Sequence, residues 1–271
     1  MKLIDCFMYF DEDLVLEIRL NTLYKKVDKF VIAEATRDHA GNKKKLNFDI
    51  NKFNKFKKKI KYIVIDDLPT NVQSNKKDWH ENHIRDQFQR NALARGYKDC
   101  KPDDLIMISD IDEIPDPKKI AEFNLKNKYA CLLQKNFQSK LNFLNITNSY
   151  WPGTKICQKK NLKSPQWLRN IKTKKIPFWK FFRDKEPQLI KNAGWHFSFL
   201  KNPASIKKKI ISYSHQEFNK KEFINEENIE KKIKNGEDLF NRNIKYKAIT
   251  VDETFPEYIF RNKKYFKNWI V

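Results

Sequence analysis

The sequence predicts an α/β fold built on a central, mostly parallel sheet flanked by helices. Strand-like and helix-like segments alternate through the first half of the chain, the pattern of a layered α/β unit. The run Leu105-Ile106-Met107-Ile108 is short, apolar throughout and flanked by carboxylates, as suits a central strand buried on both faces. Hydrophobic residues at 40% and aromatics at 14% suffice for a core, and no long polar stretch interrupts the 271 residues. Bulk disorder is therefore excluded, and one compact unit is expected.

Residues 3–7 read as the first strand. Asp11 or Asp13 is placed to cap a helix whose inner side carries Leu14, Ile18, Leu20 and Leu23. Residues 30–33 and 60–65 follow as the second and third strands. After a loop over 66–77, residues 81–95 show helical spacing through Ile84, Phe88, Ala92 and Leu93, with Gly96 as the stop. The fourth strand, 105–108, runs into Ser109-Asp110-Ile111-Asp112-Glu113. Beyond Pro117 a short helix reaches about Phe123, and strand-like segments lie at 129–133 and 141–146. Aromatic-rich pieces at 150–153, 178–182 and 194–197 make the second half less regular. A helix from about Lys220 to Lys234, capped by Asn219 and stopped by Gly236, closes it.

A formal charge of +22 would draw polyanions: nucleic acid, an anionic membrane surface or phosphorylated small molecules. The runs Lys43-Lys44-Lys45, Lys57-Lys58-Lys59 and Lys207-Lys208-Lys209 read as solvated surface. No nucleic-acid partner is expected, because the charge is spread along the chain without zinc-finger spacing, a helix-turn-helix signal or an RNP-like strand. Cys6, Cys100, Cys131 and Cys157 are far apart and read as reduced, buried thiols. The first apolar segment contains Asp5 and meets Asp11-Glu12-Asp13, too short and charged for a signal peptide or a membrane span. The expectation is a cytoplasmic protein, with a peripheral contact to the inner membrane face through its basic side.

Asp110 and Asp112 flank one residue just past a buried strand, so both carboxylates can point to one side. Two such oxygens make part of a Mg²⁺ or Mn²⁺ shell, which waters and substrate phosphates complete. Open α/β sheets bind ligands beyond the carboxyl ends of their strands, which is where this pair falls. The plainer reading is a strand end with capping carboxylates. A metal-dependent phosphoryl hydrolase would also use paired carboxylates, but typically with more ligands than Asp110, Asp112 and Glu113 offer.

The segment Asp104-Leu105-Ile106-Met107-Ile108-Ser109-Asp110-Ile111-Asp112-Glu113-Ile114-Pro115 resembles the signature of family-17 glycosyltransferases. So do Ile4-Asp5-Cys6-Phe7 with Glu12-Asp13-Leu14, Val31-Ile32-Ala33-Glu34-Ala35-Thr36 with His39-Ala40-Gly41, Arg90-Asn91-Ala92-Leu93, and Gly194-Trp195-His196-Phe197-Ser198. Several blocks in the right order are far more specific than one Asp-x-Asp. The resemblance implies a GT-A-like nucleotide-sugar transferase fold as a single domain over 1–271. Residues 1–116 would then be the nucleotide-sugar-binding half and 117–271 the acceptor half. It implies an inverting transfer with Mn²⁺ or Mg²⁺ at the Asp-x-Asp and UDP-N-acetylglucosamine as donor. The family's animal members carry a membrane anchor that this sequence does not show, so a saccharide or lipid-linked saccharide acceptor fits better than an N-glycan.

Around that pair, Arg37, Arg85 and Arg90 are candidates to meet the donor's phosphates, Arg90 first because it falls in a family-like block. Glu34, ending the second strand, either accepts hydrogen bonds from the nucleoside or satisfies backbone donors. His196 is either a third metal ligand, as a late histidine often is in GT-A enzymes, or a hydrogen-bonded core residue. Trp195 offers a flat face to a sugar ring or belongs to the core. For the base that takes the acceptor's proton, Glu217 is the first candidate, with Asp184, Glu186 and Asp238 as competitors. His39, His80 and His83 show no ligand spacing.

Overall fold

The computed structural model describes residues 1–70, 72, 81–173, 186–212 and 216–271. The aromatic piece at 178–182, Asp184 and His80 lie outside the described residues. Strand β1 (Leu3–Met8) leads into helix α1 (Asp13–Leu23), followed by β2 (Lys29–Ala35), β3 (Ile60–Ile65), α2 (Glu81–Ala92) and β4 (Leu105–Asp110). These pair in parallel in the order β4-β1-β2-β3. β1 is almost wholly buried, which explains its near-continuous apolar run.

Period-two alternation divides this layer cleanly. Leu3, Phe7, Phe30, Ile32, Leu105 and Met107 join the core beneath α1, which adds Leu16, Ile18 and Leu20. Ile4, Cys6, Val31, Ala33, Ile106 and Ile108 face the opposite core, to which the end of α2 adds Ala92 and Leu93. Gly96 ends the 3₁₀ turn that follows α2, and a Cβ there would stand 2.3 Å from Val31 Cγ1. Close approach of this turn to the sheet thus requires glycine at that position.

The sheet as a whole is mixed, which corrects the expectation of a mostly parallel one. After the three-residue β5 (Glu113–Pro115) come β6 (Tyr129–Gln138), β7 (Phe143–Asn145) and β8 (Tyr150–Gln158). β8 runs antiparallel to both β4 and β6, and β7 antiparallel to β6. The short link from β6 to β7 permits a hairpin, whereas parallel pairing needs a long crossover. Helix α3 (Pro165–Asn170), capped by Ser164, packs beside β4 and β8. β9 (Gln188–Ile190) and β10 (Gly194–Ser198) both pair in parallel with β6, and β10 is antiparallel to β5.

Helices α4 (Pro203–Ser212) and α5 (Glu226–Asn235) share a small separate core of Phe199, Ile206, Ile210, Phe223, Ile229 and Phe240. α5 starts later than its spacing suggests. Asn225, not Asn219, caps it through the Asn228 amide, while Gly236 at φ +66° stops it as expected. Glu12 occupies the cap position of α1, so neither Asp11 nor Asp13 does. β11 (Tyr246–Ala248) pairs with β7, and α6 (Glu257–Arg261) lies against α1. All four cysteines are free and buried. Among the described residues no helix is long and apolar enough to cross a membrane.

Candidate active site

A cavity of about 790 Å³ opens at the carboxyl ends of the parallel strands. Tyr9 and Phe10 after β1, Arg37 and Asp38 after β2, and Asp110 and Asp112 after β4 all line it. Its far wall comes from Asn136 and Gln138 on β6, Tyr150 and Trp151 on β8, and Lys209 on α4. This is the crevice in which an open α/β sheet places its ligand.

The Asp-x-Asp turn is fastened from beneath. The fully buried Arg19 on α1 donates through Nη1 to the carbonyl oxygens of Asp110, Ile111 and Glu113 at 3.0–3.1 Å. Its Nη2 donates to Ser109 Oγ and Asp5 Oδ1, each at 2.6 Å. Glu113 completes the frame from a fully buried position. Its carboxylate accepts from Trp151 Nε1 at 2.6 Å, from both terminal nitrogens of Arg169 at 2.7 and 3.1 Å, and from the Asp110 amide at 3.1 Å.

Asp110 therefore has two guanidinium partners, Arg90 Nη2 at 3.1 Å and Arg169 Nη2 at 2.9 Å. Burial pushes its carboxyl up, but the charges of Arg169 and Arg90 outweigh burial and hold it well below the usual range. The side chain remains 36% exposed, so it is open to a ligand. Asp112 faces His196 Nε2 at 3.7 Å and Lys209 Nζ at 3.7 Å. Lys209 also stands 3.5 Å from Glu12. Burial opposes its charge, yet Asp112 and Glu12 keep the ammonium protonated and raise its pKa.

These contacts place the sequence candidates unequally. Asp110, Asp112, His196, Arg37 and Arg90 all line the cavity. Arg90 is also paired with Asp86 at 2.7 Å, and Arg37 donates to the Gly41 carbonyl at 3.0 Å. Arg85 is outside the lining; buried, it ties together the carbonyls of Pro69, His39 and Thr70. Glu34 is fully buried and also outside the lining, where it accepts from the Asn47 and Phe48 amides, Tyr62 Oη and Lys44. Of its two readings, the backbone-satisfying one matches its position.

Trp195 belongs to the core, with Nε1 donating to the Thr254 carbonyl at 3.0 Å. The tryptophan that lines the cavity is instead Trp151, stacked on His196 with ring centroids 4.6 Å apart. Glu217 is exposed on a 3₁₀ turn, and its neighbour Phe218 lines the cavity while Glu217 does not. Asp238 and Glu186 also lie outside the lining; Asp238 pairs with Arg242 at 2.7 Å.

Arg169, Lys209 and Trp151 are the site residues that the sequence reading misses. Ser164-Pro165 is a usable helix-start signal, and it would have placed Arg169 at the end of a short helix. Lys209 is hidden in a run read as solvated. Lys44 and Lys59 likewise turn inward from their runs, to Glu34 and to the Tyr24 and Val27 carbonyls.

The donor set suits a hard divalent cation. Around the turn, the carboxylates of Glu12, Asp86, Asp110, Asp112 and Glu113 are interleaved with the cations Arg90, Arg169, Lys209 and, against Glu12, Lys201. No cluster of three or more His, Cys, Asp or Glu side chains forms a ready-made metal cage among the described residues. A partial set completed by water and phosphate is the usual arrangement for Mg²⁺.

The family model for glycosyltransferase family 17 matches residues 1–247. The chain belongs to glycosyltransferase family 17. No curated protein matches it. The family-17 match takes in β1 through β11 nearly whole, including every cavity-lining residue named above. The protein is thus a glycosyltransferase, which takes a sugar from a donor to an acceptor.

Proposed function

We propose that this family-17 enzyme is a GT-A-like, metal-dependent, inverting transferase that moves N-acetylglucosamine from UDP-N-acetylglucosamine to a saccharide or lipid-linked saccharide. The observation that carries the reading is the interleaving of Asp110 and Asp112 with Arg90, Arg169 and Lys209 at the carboxyl end of β4, inside the large cavity. Carboxylates suit a cation, and the cations beside them suit a diphosphate.

Asp110, Asp112 and His196 are the residues to hold Mn²⁺ or Mg²⁺, which when bound supplies Lewis-acid stabilisation of the departing diphosphate. Arg90, Arg169 and Lys209 add fixed positive charge where the leaving group gains negative charge. Trp151, held by Glu113 and by its stack on His196, presents an aromatic face to a sugar ring. Gln138, Asn145, Asn148 and Tyr246 line the cavity further along and suit the hydroxyls of the acceptor. An inverting transfer needs a base at the acceptor hydroxyl. Asp38 and Asp86 are carboxylates of the lining, whereas Glu217 is exposed and outside it.

Incubating the protein with UDP-N-acetylglucosamine, Mn²⁺ and an oligosaccharide panel tests this reading. Release of UDP with transfer of the sugar supports it. Inorganic phosphate as the product would favour a hydrolase instead.

A further inference from the structure

Lys155 is a buried cation that the chemistry above leaves unused. It sits on β8 between Ile108 of β4 and Cys131 of β6, and is only 5% exposed. Among the described residues its ammonium has no carboxylate within hydrogen-bond reach. Nζ donates instead to the carbonyl oxygens of Arg169 and, at 2.8 Å, Ile171. These lie at the carboxyl end of α3, where the last carbonyls of a helix lack partners within it. A cation there satisfies them and complements the helix dipole. The same Arg169 projects its guanidinium onto Asp110 and Glu113.

We propose that Lys155 is a positioning residue: by holding the end of α3 to β8, it sets where the Arg169 guanidinium stands against Asp110. The role in catalysis rests on the reading of Asp110 and Arg169 as the donor site; the positioning of Arg169 itself does not. Replacing the ammonium by an apolar group leaves two carbonyls at a buried helix end without a donor, so α3 must shift to reach water. Any shift of its last turn carries Arg169 with it.

The groups facing Lys155 are Arg169 and Lys172 from α3 and the segment after it, Cys131 from β6 and Glu113 from β5. Burial, with Arg169 next, lowers its pKa to about 8. Loss of the proton above that pH weakens the tie to α3 without any mutation.

The test uses the full chain and its Lys155→Met and Lys155→Gln variants, with two readouts. The first is the Arg169 guanidinium signal in nitrogen-resolved NMR, assigned through Arg169→Lys. The second is the affinity for UDP with Mn²⁺ between pH 6.5 and 9.5. The expected result is a slowly exchanging Arg169 signal in the wild type that is lost in both folded variants. In the wild type the Arg169 Nε chemical shift also moves with a midpoint at about pH 8, a change that base-catalysed exchange, which broadens every guanidinium signal alike, does not produce. UDP affinity falls at least tenfold in the variants at pH 7 and becomes flat with pH, whereas wild-type affinity drops across the same range. An Arg169 signal unchanged in the variants and across the titration overturns the proposal. The wild-type titration decides even if neither variant folds. If the Arg169 signal responds as stated while the wild type binds no UDP, positioning stands and the donor-site reading fails.

Discussion

Arg19 and Asp5 form an ion pair with no solvent exposure, Nη2 to Oδ1 at 2.6 Å and Nε to Oδ2 at 2.8 Å. The pair places a charge inside the apolar first strand and uses the remaining guanidinium donors to fix the Asp110–Glu113 turn. The active-site turn is therefore anchored by the core itself.

Replacing Arg19 by Met leaves Asp5 charged and alone in the interior. Removing one partner of such a pair costs about 3–5 kcal/mol. Urea unfolding should show a loss of that size for Arg19→Met, while the double change Asp5→Leu, Arg19→Met recovers most of it. Nucleotide binding stays impaired in the double variant, because the turn has lost its anchor.

Glu12 titrates well below its ordinary range. Burial raises its pKa, but Lys201, Lys209 and the Asp11 and Phe10 amides prevail and bring it to about 2. A carboxyl with a depressed folded-state pKa adds stability above its unfolded value, and this is lost as pH falls from about 4.5 to about 2. Glu12→Gln should cost on the order of 3 kcal/mol at pH 7 and almost nothing at pH 2, as measured by urea midpoints at the two pH values.

The two tryptophans separate core from site. Trp195→Ala opens a cavity in the main core and should cost about 3–5 kcal/mol in thermal or urea unfolding. Trp151→Ala removes the partner of His196 and one donor to Glu113. Transfer from the donor sugar should fall at least tenfold, with a smaller loss of stability than at Trp195.

Glu217→Gln should retain activity within about threefold of wild type, since the side chain is exposed and outside the cavity lining. A loss of a hundredfold or more, with folding intact by circular dichroism, would return the base to Glu217.

The parallel strands were legible because the runs 30–33 and 105–108 are apolar on both faces, which leaves few other structures for them, while the edge strand 60–65 is apolar apart from Lys61. Asp110 and Asp112 were legible because they sit directly after one of these runs. Arg169 was not, because its role depends on α3 meeting β4, which lies more than fifty residues earlier in the sequence. Trp195 and Trp151 show the same limit: both occur among aromatics, and only pairing to β5 and β6 decides which one faces the core. Lys209 looked solvated because its charge partners, Glu12 and Asp112, come from loops after two different strands.

Calorimetric titration of UDP with and without Mn²⁺ tests whether the Asp110–Asp112 turn is the metal-assisted donor site. The wild type and the Asp110→Ala, Asp112→Ala double variant are compared. Mn²⁺-dependent binding to the wild type should fall at least a hundredfold in a folded double variant. Equal binding by both proteins, or no binding of UDP, GDP, CDP or TDP by the wild type with either Mn²⁺ or Mg²⁺, would contradict that assignment.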